Sequence, residues 1–156
     1  MELESVLKGH NLFKLLTVDE VARINEFSSE KRFRKNETIY TYQKAVSHVF
    51  LHLDGSIDLR LPAKPSDFSF IISKVEKGEL FGVASLLGSE RYTATAVAVG
   101  DATVLALEAR PLRELLRNNT HAGFHIINQV ALVYFGRYMK VMKRLQNVIG
   151  QISLVQ

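Results

Sequence analysis

Between Phe33 and Leu107 the hydrophobic period of the chain is two, and turn-forming residues break it every few positions. Ile39, Val49, Leu51, Leu53, Ile57, Leu59 and Leu61 fall into alternating groups, as half-buried strands require. Asn36, Asp54-Gly55, Pro62, Pro65, Lys77-Gly78, Gly88 and Gly100-Asp101 separate the groups. Asn and Gly reach positive φ at little cost, so each marks a cheap place to reverse the chain. Many short antiparallel strands with such turns close as a sandwich, a barrel or a jelly roll.

Helical periods flank this region. From about Glu2 to Phe27, an apolar knot of Leu12, Phe13, Leu15 and Leu16 precedes Thr17, which stands three residues before Glu20. That is capping-box spacing, and Val21, Ile24 and Phe27 follow at helical intervals. The chemistry changes after Ser28-Ser29. Near Arg110-Pro111 the period returns to 3.6; Pro111 suits a first helical turn, with Leu112, Leu115 and Leu116 on one face. A long helix is expected after Asn118-Asn119-Thr120. Along it Ile127, Ala131, Tyr134, Tyr138, Val141, Leu145, Val148, Ile152 and Val155 alternate spacings of four and three, a heptad seam. Little chain remains to cover that seam past Leu145, so a partner helix, and hence a symmetric homodimer, is expected. The division expected is one domain over residues 1–156, with N-terminal helices at 1–32, strands at 33–108 and C-terminal helices at 110–156.

Composition narrows the function. A chain of 156 residues can bury one core. It carries no cysteine, which excludes disulfides, a thiolate nucleophile and cysteine-ligated clusters. No apolar run reaches the ~18 residues of a membrane span. Met1-Glu2-Leu3-Glu4 lacks the layout of a signal peptide, so a cytoplasmic protein is expected, with no membrane partner. The net charge of +4 concentrates at Lys31, Arg32, Arg34 and Lys35 and at Arg137, Lys140, Lys143 and Arg144. Without a docking element, these read as solvated faces, and no sequence-specific nucleic acid is expected. His121 and His125 have metal-sharing spacing but no third ligand beside them. His48 and His52 would lie about 13 Å apart along a strand. Neither a Gly-x-Ser-x-Gly elbow nor a P-loop is present. No catalytic or metal residue is assigned.

One stretch carries a family resemblance. Lys77-Gly78-Glu79-Leu80-Phe81-Gly82-Val83-Ala84-Ser85-Leu86-Leu87, followed by Arg91-Tyr92-Thr93-Ala94-Thr95-Ala96-Val97-Ala98, resembles the phosphate-binding cassette of cyclic-nucleotide-binding domains. Phe33-Arg34-Lys35-Asn36-Glu37-Thr38-Ile39 is similar to the family's opening strand, with Asn36 in place of its glycine. Phe50-Leu51-His52-Leu53-Asp54-Gly55-Ser56-Ile57 is similar to its third-strand turn. The resemblance spans nearly the whole chain. It implies a mainly β fold with flanking helices: a double-stranded β-helix, or jelly roll, followed by a long C-terminal dimerisation helix. It also implies a regulatory, non-enzymatic role and a site at Phe81, Gly82, Val83, Ala84, Ser85, Arg91, Tyr92, Thr93 and Ala94. The ligand implied is a cyclic nucleotide, cAMP or cGMP, or another small anion.

The two polar anchors of that cassette are altered. The family glutamate, which accepts from the ribose, is Val83 here, and the family arginine, which forks onto the cyclic phosphate, is Tyr92. Arg91 lies one residue earlier and should face the other side of a strand unless a bulge turns it inward. Each lost charge-assisted contact forfeits ~1.5–3 kcal/mol, so cyclic-nucleotide binding is expected to be weak or replaced by another ligand. Two other readings remain open. One is a ligand-free interaction module; the other is the effector half of a transcription regulator, since family regulators append a DNA-binding domain where this chain ends. A haem sensor would need an axial ligand from His48, His52 or His125, and no motif selects one.

Overall fold

The computed structural model describes residues 3–63 and 68–153; Met1, Glu2, the turn residue Pro65 and the last seam position, Val155, lie outside them. The chain runs α1 (Leu3–Gly9), a 3₁₀ turn (Asn11–Phe13), α2 (Val18–Glu26), β1 (Ser28–Phe33), β2 (Thr38–Tyr40), β3 (His48–Asp54), β4 (Ile57–Pro62), β5 (Ser69–Val75) and β6 (Leu80–Phe81). A 3₁₀ helix (Val83–Leu87), β7 (Thr95–Ala98), β8 (Ala102–Glu108), α3 (Ala109–Asn118) and α4 (Thr120–Ser153) complete it. Two four-stranded antiparallel sheets, in the orders β1-β8-β3-β6 and β2-β7-β4-β5, form the jelly roll.

β3 and β8 are covered on both faces, which is why they read as continuous apolar runs. Phe50, Val104 and Ala106 point between the sheets. Their neighbours Val49, Leu51, Leu105 and Leu107 point to the helices, against Leu7, Phe13, Ile24, Leu112, Leu115 and Ile126. Between the sheets, Tyr40, Phe50, Phe81 and Tyr92 are accommodated by Ala94, Ala96, Ala98, Ala102 and Ala106.

Local chemistry sets the corners. Thr17 and Glu20 form the reciprocal capping box of α2. Asn36 takes φ +71°, a left-handed turn that Asn reaches at little cost. At Gly55 a Cβ would stand 2.1 Å from the Asp101 carbonyl oxygen, so the β3–β4 turn admits nothing larger. Asn119 alone separates α3 from α4. Its Oδ1 accepts from the Ala122 N–H at 3.0 Å, and its Nδ2 donates to Glu20 Oε2 at 2.9 Å.

One boundary differs from expectation. The roll begins at Ser28, not Phe33. Residues 28–33 pair with Leu107 back to Ala102 of β8 and are partnered on that side only. An edge strand with exposed Lys31 and Arg32 is held by its ladder hydrogen bonds, and polar Ser-Ser-Glu-Lys-Arg shows no apolar alternation to reveal it.

Candidate ligand cavity

β6 pairs with β3, placing Phe81 opposite Phe50, and the chain then turns at Gly82, where φ is +65°. A Cβ there would stand 3.0 Å from Tyr40 and 3.2 Å from Phe50, so the backbone lies directly on the aromatic cluster. The 3₁₀ helix Val83–Leu87 follows and ends at Gly88, also left-handed. The chain returns through Arg91 and Tyr92, held by Tyr92 N–H to the Lys44 carbonyl at 2.9 Å and by an isolated bridge between Ala45 and Arg91.

Tyr92 and Val83, the positions where the resemblance implies polar anchors, are packed into the interior. Tyr92 is 3% exposed and stacks on Tyr40 at 4.1 Å between centroids. Its hydroxyl accepts from the Ser47 and His48 N–H groups, at 3.3 and 3.2 Å, and donates to the His48 carbonyl at 2.8 Å. Val83 is buried in the helix-side core. Arg91 is exposed and donates to the Gln43 carbonyl at 2.8 Å; no bulge brings it inward. Thr93 is exposed and Ala94 buried.

A cavity of about 410 Å³ nevertheless remains between the roll and α4. Gly82, Val83, Ala84, Tyr92, Thr93 and Ala94 form its floor; Leu59, Leu61, Phe70, Ile72 and Ser73 form one wall. Tyr134, Arg137, Tyr138 and Val141 of α4 form the other. Of the expected cassette residues, Phe81, Ser85 and Arg91 do not line it. Among the described residues, the lining holds no carboxylate and no histidine, so none of these offers a haem an axial nitrogen, and no group of three His, Asp or Glu side chains could hold a metal.

Arg137, expected on a solvated basic face, is the one charged side chain among the described residues that line the cavity. It is turned inward: its guanidinium is ion-paired with Glu79, its Nε donates to Ser73 Oγ at 3.2 Å, and it lies 5.6 Å from the Tyr134 ring centroid. Burial pushes the Glu79 carboxyl above its ordinary range, against the opposing pull of Arg137. Burial likewise holds the Tyr40 hydroxyl protonated. The local sequence gave no sign of this, because Arg137 precedes Lys140, Lys143 and Arg144 on the same helix. The pairing with Glu79 spans 58 positions.

Of the seam positions, Ile127 is half-buried, whereas Ala131, Tyr134, Tyr138, Val141, Leu145, Val148 and Ile152 are exposed in the single chain. Among the described residues, no helix is long and apolar enough to cross a membrane.

The chain belongs to the cyclic nucleotide-binding domain family, whose model matches residues 30–119. A solved structure from Geobacter metallireducens GS-15, named for cyclic-nucleotide binding, is 27% identical; the match covers 88% of this chain and 99% of that one, with TM-score 0.74. The sensor domain of the transcriptional regulator DNR from Pseudomonas aeruginosa shares the fold at 15% identity, covering 83% and 91% of the two chains, with TM-score 0.71. So does the regulatory subunit of a cAMP-independent protein kinase A from Trypanosoma brucei, at 17% identity, 90% and 49% coverage and TM-score 0.70. The chain is thus a domain of the cyclic-nucleotide-binding type that shares its fold with the sensor domain of a transcriptional regulator.

Proposed function

We propose that the chain is a ligand-sensing module, one domain over residues 1–156, that acts in the cytoplasm as a homodimer through α4 and takes a small, mainly apolar ligand in place of a cyclic nucleotide. The carrying observation is the cavity itself. Its volume falls within the roughly 300–1,000 Å³ of ligand sites, which favours a re-purposed pocket over a filled-in one. Its walls are aromatic and aliphatic where the family places ionic anchors. A cyclic phosphate would meet a single guanidinium already engaged by Glu79 and Ser73. The ribose would meet Val83, which accepts nothing. Losing both anchors removes about two to four orders of magnitude in affinity.

Calorimetry with cAMP and cGMP tests the reading. The unaltered protein should show no binding in the low-micromolar range, and Val83→Glu with Tyr92→Arg should restore measurable affinity. The Trypanosoma brucei protein offers a precedent of its own: described as cAMP-independent, it holds cAMP in a form with three substitutions, one of which introduces an arginine. Tight binding of cAMP by the unaltered domain would overturn the apolar-ligand assignment.

A further inference from the structure

The 3₁₀ helix of the cassette has a second side. Val83 and Ala84 face the cavity described above, whereas Ser85 and Leu86 face a separate cavity of about 360 Å³ at the α3–α4 corner. We infer that this corner is a second ligand site, one that takes a phosphate group on Arg113, Arg117 and Ser85.

Two buried donors without a partner meet there. Ser85 is 7% exposed, and its hydroxyl has no hydrogen-bond partner. Arg113 is half-buried, and its buried Nε also has none. A buried donor without a partner forfeits its hydration without recompense. Arg117 lies four residues beyond Arg113 on α3, so the two guanidinium groups share one helix face and repel each other. Among the described residues neither forms an ion pair. The nearby Glu114 is engaged by Arg110.

Among the described residues no carboxylate lines this cavity; Thr120 adds a hydroxyl at the positive end of the 34-residue α4. A phosphate oxygen set would satisfy the forked donors and the serine at once and relieve the arginine repulsion. Leu86, Leu116 and Phe124 border the same space, and Phe124 is 74% exposed, so the apolar body of a phosphate ester has a surface to lie on. The site is independent of the ligand proposed for the first cavity.

Calorimetry of the whole chain at fixed ionic strength, with inorganic phosphate and with phenyl phosphate, tests it. Saturable binding at one site per chain is expected, weakened about ten-fold or more by Arg117→Gln and by Arg113→Gln, and less by Ser85→Ala. Arg117 is exposed, so its variant folds and decides the matter alone. Tighter binding of phenyl phosphate assigns an ester with an apolar body; equal binding assigns the free anion. No saturable heat below about 10 mM of either probe, or binding that survives both arginine substitutions together, overturns the inference. Val83→Glu with Tyr92→Arg should leave phosphate binding unchanged, which separates this result from that of the first cavity.

Discussion

The two halves of α4 have similar apolar content and opposite fates. Ala122, Ile126 and Val130 are 1%, 0% and 4% exposed, packed on the core shared by β3, β8 and the other helices. Tyr138, Val148 and Ile152 are 57%, 53% and 63% exposed. An isolated helix gains little from propensity alone, and a row of exposed aromatic and aliphatic side chains is costly to leave in water. The first half is stabilised by its own fold; the second offers a face that a partner helix fits. The cavity lies where the halves meet, with Tyr134, Arg137, Tyr138 and Val141 as its α4 wall. A ligand seated there touches Tyr134, Tyr138 and Val141 of the seam proposed for a second copy.

The largest expected effect is on the covered half. Ile126→Ala should cost ~2–5 kcal/mol, read as a shifted urea midpoint, because a fully buried side chain is removed and the packed neighbours cannot collapse into its space. Val148→Ala, measured on dilute monomer, should stay within ~0.5 kcal/mol. Equal losses at both positions would abolish the distinction between the halves.

Association should show the reverse pattern. Tyr138→Asp would bury a charge at the seam and should convert a dimer to monomer in sedimentation at micromolar concentration, with little change in monomer stability. A wild-type chain that sediments as monomer there sinks the seam.

The residue between these regimes is Tyr92, whose hydroxyl joins the cassette to the start of β3. Tyr92→Phe keeps the stack on Tyr40 but leaves the Ser47 and His48 N–H groups and the His48 carbonyl without this partner. The expected cost is ~1–3 kcal/mol. A neutral result in thermal unfolding would show that water replaces the hydroxyl and that the position is free for redesign.

What was legible in the sequence follows the range of the interaction. The capping box at Thr17, the left-handed turns at Asn36 and Gly88, and the order of cassette motifs are local, and each is written in adjacent residue types. β1 is missing from the local pattern because its strand is made by hydrogen bonds to β8, whose register no polar hexamer displays. At Tyr92 nothing local showed a side chain bonded to backbone 44 and 45 positions away. The turn of Ser85 toward α3 depends on how a 3₁₀ helix, tighter than an α-helix, aims successive side chains.

The smallest effect expected concerns Glu79 and Arg137, the pair that fastens α4 to the β5–β6 turn where its covered half ends. Burial raises the Glu79 pKa above its ordinary value of 4.5. A carboxyl with a raised folded pKa binds its proton more tightly in the native state, so its contribution to stability is greatest at acid pH. That contribution falls as pH rises through the window between the ordinary and the raised value. Arg137 limits the fall by favouring the carboxylate. Glu79→Gln removes the titration, keeps a hydrogen-bonding partner for Arg137, and should flatten the dependence of the urea midpoint on pH across that window. It also leaves the guanidinium charge buried without its counter-ion, so the variant should be the less stable protein at neutral pH. An unchanged pH slope in Glu79→Gln would show that Glu79 does not titrate in the window, and that Arg137 keeps it ionised throughout.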